Sequence, residues 1–168
     1  MIYWKKGNLL ESDCDYICQQ VNCQGKMNSG IAKQIREKWP VVYQNYMAKC
    51  NFSHPSGYIR PELLLGNIQI VGLWENFYET DFHQSVINMF AQQHYGYDKR
   101  RYTSYDAFWN CLNLIKQSVT TDKKIGFPYN IGCGLGGANW NVILAMIDTV
   151  LADYTVEIYV LEDKDGKN

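Results

Sequence analysis

Hydrophobic and polar positions follow two periods along this chain, one typical of strands and one typical of helices. Strand-like runs rich in β-branched and aromatic residues occur near the start and at residues 15–22, 67–75, 84–92, 123–129 and 155–162. Segments with a helical apolar period lie between several of them. This alternation predicts an α/β fold with helices layered on a central sheet.

Each helix-like segment carries one apolar face. In the first, Ile31, Ile35 and Trp39 recur every four residues before Pro40, and Asn28 or Ser29 is placed to cap its start. The remaining helical patterns cover residues 41–50, then Phe108, Cys111, Leu112, Ile115 and Val119, and finally Ile143, Met146, Ile147 and Val150.

Two further local predictions concern loops and pairing. Thr103-x-x-Asp106 resembles a capping box at the start of the helix around Phe108. The runs 67–75 and 84–92 predict paired, buried strands around an aromatic loop, and residues 51–62 predict a turn-rich connector.

Length and charge limit the classes of protein. A chain of 168 residues with 46% hydrophobic content can bury one sizeable core, so we expect a single domain over 1–168. The net charge of −1 is spread along the chain, which argues against nucleic acid and anionic membranes as partners. Without an apolar run of about 18 residues or a secretory signal, we expect a cytoplasmic protein.

The six cysteines form no C-x-x-C pair, so the sequence favours free thiols over disulfides. Cys14, Cys18 and Cys23 make a poor zinc frame, because neighbouring residues of a strand point to opposite faces. We expect no metal site.

Two glycine-containing loops each stand between a strand and a helix. The first covers residues 22–30 ("NCQGKMNSG") and the second residues 130–137 ("NIGCGLGG"). Such turns lie at the carboxyl edge of a parallel sheet, where glycine lets backbone N–H groups approach an anion and a helix N-terminus adds positive charge. The pair suits a diphosphate; the alternative is that both are simply tight turns.

The second loop also spells G-x-G-x-x-G from Gly132 to Gly137, the fingerprint of dinucleotide-binding folds. That fingerprint belongs to the first strand–helix unit, whereas here one helix and one strand follow it. Glu157 follows the glycines at about the sequence spacing expected for the acidic residue that binds the ribose of a dinucleotide. However, too little chain follows it to build the remaining strands of that sheet. The Walker pattern is excluded because no G-K-[ST] follows the glycines.

Three segments together resemble the macro domain family: residues 21–40, "VINMFAQ" with the following "YGYDKRRYTSYDAF", and "FPYNIGCGLGGANWNVILAMI". They look most like its branch of ADP-ribose 1''-phosphate phosphatases and terminal ADP-ribose protein glycohydrolases. The resemblance implies a three-layer α/β/α macro domain with a mixed, mainly parallel sheet. It also implies an ADP-ribose cleft at the carboxyl edge, without a further cofactor.

The resemblance implies a role for each part of the cleft. Asn8 and Leu9 lie against the adenine, with Asn8 where the family commonly has an aspartate, and Leu161 covers the adenine unless it is ordinary core. Asn22 and Gln92 lie near the distal ribose. The two walls are formed by Met27, Ser29, Gly30, Ile31 and Ala32, and by Gly132, Cys133, Gly134, Leu135, Gly136 and Gly137.

The catalytic residues are less clear. Related glycohydrolases use a lysine and an aspartate, but Gln92 and Gly136 stand at the matching positions and cannot act as nucleophile or base. Hydrolysis would then depend on a water oriented by loop amides and the substrate's phosphate. Other candidates, each more readily explained as a surface charge or an inert thiol, are Lys26, Asp81, His83, His94, Asp98, Cys23 and Cys133.

Three functions stay open at this point. The leading hypothesis is an ADP-ribose-binding macro domain that hydrolyses ADP-ribose 1''-phosphate or an ADP-ribosylated protein at the distal ribose. The second is a non-catalytic reader of ADP-ribose or ADP-ribosylated proteins, so the sequence leaves open whether the chain is an enzyme. The third is an RNA-associated module that uses Lys99–Arg101 and the interleaved tyrosines Tyr95, Tyr97, Tyr102 and Tyr105.

Overall fold

A computed structural model describes residues 1–51, 61–74 and 83–161. The described residues form six strands, five α-helices and a short 3₁₀ helix at Leu9–Glu11. The strands are β1 (Ile2–Lys6), β2 (Tyr16–Asn22), β3 (Ile68–Leu73), β4 (Gln84–Gln92), β5 (Lys124–Pro128) and β6 (Thr155–Val160). The helices are α1 (Gly30–Lys38), α2 (Pro40–Asn51), α3 (Pro61–Leu64), α4 (Tyr105–Ser118) and α5 (Trp140–Val150).

All six strands join one mixed sheet in the order β1-β6-β5-β2-β4-β3. Every pairing is parallel except that of β3 with β4, which is antiparallel. The carboxyl ends of β2, β4, β5 and β6 therefore meet at one edge of the sheet. This edge is where the loops before α1 and α5 begin.

Apolar side chains cover both faces of the sheet. Helices α1 and α2 pack on one face, with Ile35 and Tyr46 fully buried against it. Helices α4 and α5 pack on the other face, where Phe108 and Ile147 are fully buried. The strand β4, which is covered on both faces, is buried along nearly its whole length. The predicted three-layer α/β/α architecture is confirmed.

Three local predictions need correction. Ser104, not Thr103, caps α4, because its side-chain oxygen accepts a hydrogen bond from the Ala107 N–H at 3.2 Å. Ser29 occupies the cap position of α1 but makes no capping bond with its side chain. The pairing of β3 with β4 is confirmed, yet β3 is an edge strand and half-exposed rather than buried. The predicted connector largely lies outside the described residues, as does Asp81.

Candidate functional site

A cleft of about 820 Å³ opens at the carboxyl edge of the sheet. Its floor is formed by the ends of β2, β4, β5 and β6, and its walls are the first loop (22–30) and the second loop (130–137). A volume of this size is within the range of sites that enclose a small organic ligand or cofactor.

Thirteen of the sixteen residues proposed from the resemblance line this cleft. They are Asn8, Leu9, Asn22, Ser29, Gly30, Ile31, Ala32, Gln92, Gly132, Gly134, Leu135, Gly136 and Leu161. The other three lie behind the wall. Met27 is fully buried in the core beside α1 and α2, and Cys133 packs against the core on the α4 and α5 side. Gly137 has a φ of +68° and backs onto the main chain of Arg100 and Arg101.

Several polar and aromatic lining residues were not among the sixteen predicted ones, and neither were Val21, Pro128, Ile131 and Val160. The polar and aromatic ones are Gln20, Asn28, Gln34, Tyr95, Tyr97, Tyr129, Asn130 and Tyr159, and Lys26 joins them from the group of doubtful candidates. The two-residue strand period places Tyr159 on the same side as Leu161, so this residue was predictable. Tyr95 and Tyr97 lie in an irregular segment, where no periodicity indicates which way a side chain points.

The Asn22 side chain organises the first loop. Its Oδ1 accepts hydrogen bonds from the N–H groups of Gln24 (2.9 Å) and Lys26 (3.3 Å), and its Nδ2 donates to the Lys26 carbonyl (2.8 Å). The buried Tyr46 hydroxyl lies 2.9 Å from the same Oδ1 and 2.8 Å from the Asn22 carbonyl. Asn22 therefore shapes the loop, and one amide hydrogen remains for a ligand.

The first loop leads directly into the N-terminus of α1. The first hydrogen bond of this helix runs from the Lys33 N–H to the Ser29 carbonyl. The N–H groups of Gly30, Ile31 and Ala32 precede that bond, so they have no intrahelical partner, and all three residues line the cleft. This end of the cleft therefore combines unpaired donors with the positive end of the helix dipole.

The second loop is shaped by close main-chain contacts. The Gly136 carbonyl accepts hydrogen bonds from the N–H groups of Tyr102 and Thr103, both at 2.9 Å, and the Thr103 hydroxyl donates to the Gly132 carbonyl at 2.8 Å. A Cβ on Gly136 would collide with the Gly132 carbonyl oxygen and the Thr103 hydroxyl. By contrast, a Cβ on Gly134 would meet no atom within 4 Å.

The second wall also presents unpaired donors. Within the described part of the chain, the N–H groups of Gly134, Leu135 and Gly136 have no hydrogen-bond acceptor, and all three residues line the cleft. Both walls of the cleft therefore carry main-chain N–H groups that have no acceptor among the described residues. Such an arrangement binds phosphate oxygens without needing charged side chains.

Gln20 and Gln92 connect the two loops across the floor. Gln20 Nε2 donates to Gln92 Oε1 and to the Thr103 hydroxyl, both at 2.7 Å. Gln92 Nε2 donates in turn to the His94 carbonyl at 3.0 Å. The amide of Gln92 is therefore held in place at the cleft rather than projecting freely.

The cleft carries little charge. Among its described lining residues, Lys26 is the one charged side chain, and no carboxylate, histidine or cysteine contributes. Burial, followed by the hydrogen bond to Glu157, raises the pKa of Tyr159, so its phenol stays protonated at neutral pH. Burial likewise raises the pKa of the Cys23 thiol behind the wall to about 12.

The other catalytic candidates lie away from the lining. His83 and His94 are exposed and do not line the cleft. Asp98 is also outside it, where hydrogen bonds from Tyr102 and Arg100 lower its pKa to about 2. Burial raises the pKa of the half-buried Cys133 thiol. None of these side chains is therefore placed to act on a molecule inside the cleft.

The described residues contain neither a metal-ligand cluster nor a membrane-spanning helix. No group of three or more His, Cys, Asp or Glu side chains is arranged to hold a metal ion within these ranges. None of the helices that the structure describes has the length and hydropathy to cross a membrane.

Comparison with characterised proteins gives a distant relative and many similar folds. No protein-family model matches the sequence. The DNA ADP-ribosyl glycohydrolase of Mycobacterium tuberculosis is 24% identical over 140 residues, which is 83% of this chain and 36% of the relative. The chain thus spans little more than a third of the length of the curated relatives it matches.

The similar solved structures cover nearly all of this chain. A protein of unknown function from Bacteroides thetaiotaomicron has a TM-score of 0.76 at 23% identity, covering 95% of this chain and 97% of that one. The macrodomain of Mycobacterium tuberculosis DarG has a TM-score of 0.69 at 23% identity over the same shares. Thermosipho africanus DarTG in complex with ADP-ribose has a TM-score of 0.71 at 21% identity, covering 96% of this chain and 42% of that one.

These likenesses confirm the resemblance at the level of the fold. The mixed, mainly parallel sheet, the three layers and the cleft at the carboxyl edge agree with it. The chain has the macrodomain fold.

Proposed function

We propose that this chain binds ADP-ribose in the cleft and hydrolyses an ADP-ribosyl derivative at the distal ribose. The observation that carries the proposal is the pair of facing walls, each with unpaired main-chain N–H groups, at Gly30–Ala32 and at Gly134–Gly136. A diphosphate has oxygens on both sides and suits such a pair. The names of two similar proteins, a DNA ADP-ribosyl glycohydrolase and a DarTG in complex with ADP-ribose, support the same ligand.

In this proposal the adenine lies against Asn8, Leu9 and Leu161, and the distal ribose lies near Asn22 and Gln92. Asn8 Oδ1 accepts a hydrogen bond from the Leu10 N–H at 3.0 Å, which keeps its amide at the cleft edge. One lone pair of that oxygen remains for the adenine amino group. The proposal takes residues 1–168 as one macro domain, supported by a single sheet with a core on each face.

The proposed hydrolysis uses positioning rather than a protein base. Gln92 and Gly136 stand where related glycohydrolases have a lysine and an aspartate, and no carboxylate joins the described lining. A water molecule adds to the anomeric carbon as the bond to the leaving group breaks, and its proton passes to the leaving oxygen. With ADP-ribose 1''-phosphate, the substrate's own phosphate accepts that proton, so the phosphatase activity needs the fewest protein groups.

The second candidate function is a reader that binds ADP-ribosylated molecules without turnover. The reader function is favoured because no carboxylate base lies among the described lining residues. It is also favoured because position 136, where related glycohydrolases have an aspartate, has no space for a Cβ. A cytoplasmic site of action belongs to either version of the proposal. It is supported by the free thiols of Cys14, Cys18, Cys23, Cys111 and Cys133, which persist in reducing compartments.

Turnover assays separate the two functions. The protein is incubated with ADP-ribose 1''-phosphate, with glutamate-linked ADP-ribosyl protein and with an ADP-ribosylated DNA strand, and product is followed by mass spectrometry. The control is Gly134→Glu, which adds a charged side chain inside the cleft at a position with open space for its Cβ. Product above this control with any substrate establishes the hydrolase; binding without product from all three establishes the reader.

A further inference from the structure

The sheet has an open edge at β1. This strand is the outermost of its side of the sheet, and among the described residues it pairs with β6 alone. The Met1 carbonyl accepts a hydrogen bond from the Val156 N–H, and the Gly7 N–H donates to the Val160 carbonyl, so odd-numbered residues direct their main-chain groups towards β6. Main-chain groups alternate in direction along a strand, so the even-numbered residues direct theirs to the outer edge. The outward residues are Ile2, Trp4 and Lys6.

Aromatic side chains stand along this edge. Tyr3 is 45% exposed and Trp4 is 52% exposed. The centre of the Trp4 ring lies 6.2 Å from that of Trp140 on α5 and 6.1 Å from that of Tyr129. Tyr3 and Lys5 lie on the opposite face of the sheet, because successive side chains of a strand alternate. The strand therefore combines an open row of main-chain groups with exposed rings on both faces, which is the surface that a further strand covers.

The side-chain order of β1 is self-complementary. In an antiparallel pair, two residues that lie opposite each other with outward main-chain groups exchange two hydrogen bonds. When Trp4 lies opposite its counterpart in a second copy, three such pairs form: Trp4 with Trp4, Ile2 with Lys6, and Lys6 with Ile2. Sliding one strand by two residues in either direction leaves two pairs. The pairing centred on Trp4 therefore forms the most hydrogen bonds.

Charge favours the same register. With Trp4 at the centre, Lys5 lies opposite Tyr3 of the second copy, and a tyrosine ring is a favourable neighbour for an ammonium group. Within its own chain, Lys5 Nζ also lies 3.6 Å from the buried Glu157 carboxylate. Sliding the strand towards its carboxyl end would instead place Lys5 opposite Lys5, or Lys6 opposite Lys6. Lysines on an edge strand oppose pairing in general, but here they exclude these alternative registers.

We propose that the β1 edge binds the β1 edge of a second copy of this chain, antiparallel and centred on Trp4, so that the two sheets join. The same surface is used by both copies, as a two-fold dimer requires. The two clusters of Trp4, Tyr129 and Trp140 then lie next to each other at the two-fold axis. An unrelated extended segment could bond to the same main-chain groups, but it would not match the order of Tyr3 and Lys5. This inference is independent of the ligand proposed for the cleft.

Sedimentation equilibrium over a wide range of protein concentrations tests the dimer. We expect the wild-type protein to dimerise reversibly. Trp4→Lys removes the central ring and places two ammonium groups opposite each other, so the dissociation constant of the dimer should rise about tenfold or more. The control is Trp109→Lys, which removes a partly exposed tryptophan from α4, away from this edge, and should dimerise like the wild type. Thermal unfolding of each variant checks that the fold is retained.

Disulfide cross-linking tests the register. Tyr3→Cys and Lys5→Cys are prepared as separate variants, because positions 3 and 5 of opposite chains are non-hydrogen-bonded neighbours with Cα atoms about 4.5 Å apart, a distance that a disulfide spans. Mixed and oxidised with diamide, the two variants should form a linked dimer, whereas each variant alone should form far less. The wild type, with its own six cysteines, and Ile70→Cys on the opposite edge strand β3 are the controls and should stay unlinked.

The outcomes decide the proposal without reference to the cleft. A wild type that stays monomeric at every concentration would overturn it and leave the edge to a strand of another protein. A Trp4→Lys variant that dimerises as tightly as the wild type would overturn it as well. Equal cross-linking of the mixture and of either variant alone would contradict the register centred on Trp4. A dimer that is weakened in Trp4→Lys, kept in Trp109→Lys and cross-linked chiefly in the mixture supports the proposal.

Discussion

The two loops that enclose the cleft are held in place by different means. The first loop is organised by side chains, because Asn22 bonds to two of its N–H groups and is itself fixed by the buried Tyr46 hydroxyl. The second loop is organised by the absence of side chains, because Gly136 packs against the Gly132 carbonyl and Thr103. Each carries cleft-lining residues whose N–H groups have no acceptor within the described part of the chain.

This difference decides which substitutions each loop tolerates. In the first loop the critical groups are polar atoms whose loss leaves buried partners unsatisfied. In the second loop the critical property is space, so adding a methyl group does the damage. The same comparison explains why a carboxylate does not stand at position 136: its Cβ alone would displace the loop.

Gly136→Ala should have the largest effect. Its Cβ would push apart main-chain atoms that also hold the N–H groups of the wall, so we expect a loss of about 3 kcal/mol in the free energy of unfolding and loss of ADP-ribose binding. Chemical denaturation measures the first quantity and calorimetry the second. Gly134→Ala is the control, with a change within about 0.5 kcal/mol because its Cβ enters open space. Equal stability of the two variants would refute the steric account of the second loop.

Tyr46→Phe tests the side-chain account of the first loop. The change removes the hydroxyl next to the Asn22 carbonyl and Oδ1, and we expect a cost of about 2 kcal/mol because buried polar atoms lose a partner. The affinity for ADP-ribose should fall as the loop loosens. Tyr43→Phe, on the same helix, serves as the matched control in denaturant unfolding. If both variants cost the same, the hydroxyl of Tyr46 does not organise the loop.

Thr103→Val probes the link between the loops. Valine keeps the shape but removes the hydroxyl that donates to the Gly132 carbonyl and accepts from Gln20. The expected cost is about 1.5 kcal/mol in the free energy of unfolding, with weaker ADP-ribose binding. Thr149→Val on α5, whose hydroxyl bonds to a helix carbonyl at the surface, should cost less. An unchanged affinity for ADP-ribose would show that the second loop keeps its shape without Thr103.

The smallest expected difference between the loops is in how the free energy of unfolding falls at alkaline pH. Burial raises the pKa of Cys23 to about 12, above the value of about 8.5 in an unfolded chain. Above pH 8.5 the unfolded state therefore binds fewer protons than the folded state, and stability falls as pH rises. Comparing pH 8 with pH 10, Cys23→Ala should reduce this fall by about 2 kcal/mol, since the unfolded thiol ionises over this range and the folded one does not. Cys133→Ala, at the half-buried thiol of the second loop, should change it less; a larger change would contradict the assigned burial.

The sequence predicted much of the fold because the fold depends on local periods. The alternation of strands with amphipathic helices is visible in residues such as Ile35, Phe108 and Ile147, all of which are fully buried. The sequence predictions were wrong where contacts between residues distant in the sequence determine the local structure. Thr103 and Ser104 are both suitable N-cap residues for α4. Because the Thr103 hydroxyl donates to the Gly132 carbonyl, the cap is formed by Ser104 instead.

The cleft was predictable where glycines and strand ends mark it, and less so elsewhere. Met27 lies in the first loop and was therefore predicted to line the cleft, but its side chain packs in the core beside α1 and α2. The side-chain bonds of Asn22 and Gln92 depend on Tyr46 and Gln20, which the sequence alone does not bring next to them. Tyr95 and Tyr97 owe their positions at the cleft to a loop held by Gly136.

Titration of the protein with ADP-ribose in a calorimeter tests the central claim most directly. Facing walls of unpaired N–H groups predict saturable binding with one site per chain in the wild type, and loss of that binding in Gly134→Glu, whose carboxylate would occupy the diphosphate space. Heat that saturates in both proteins, or no heat from the wild type at millimolar ligand, would contradict the assignment of this cleft to ADP-ribose.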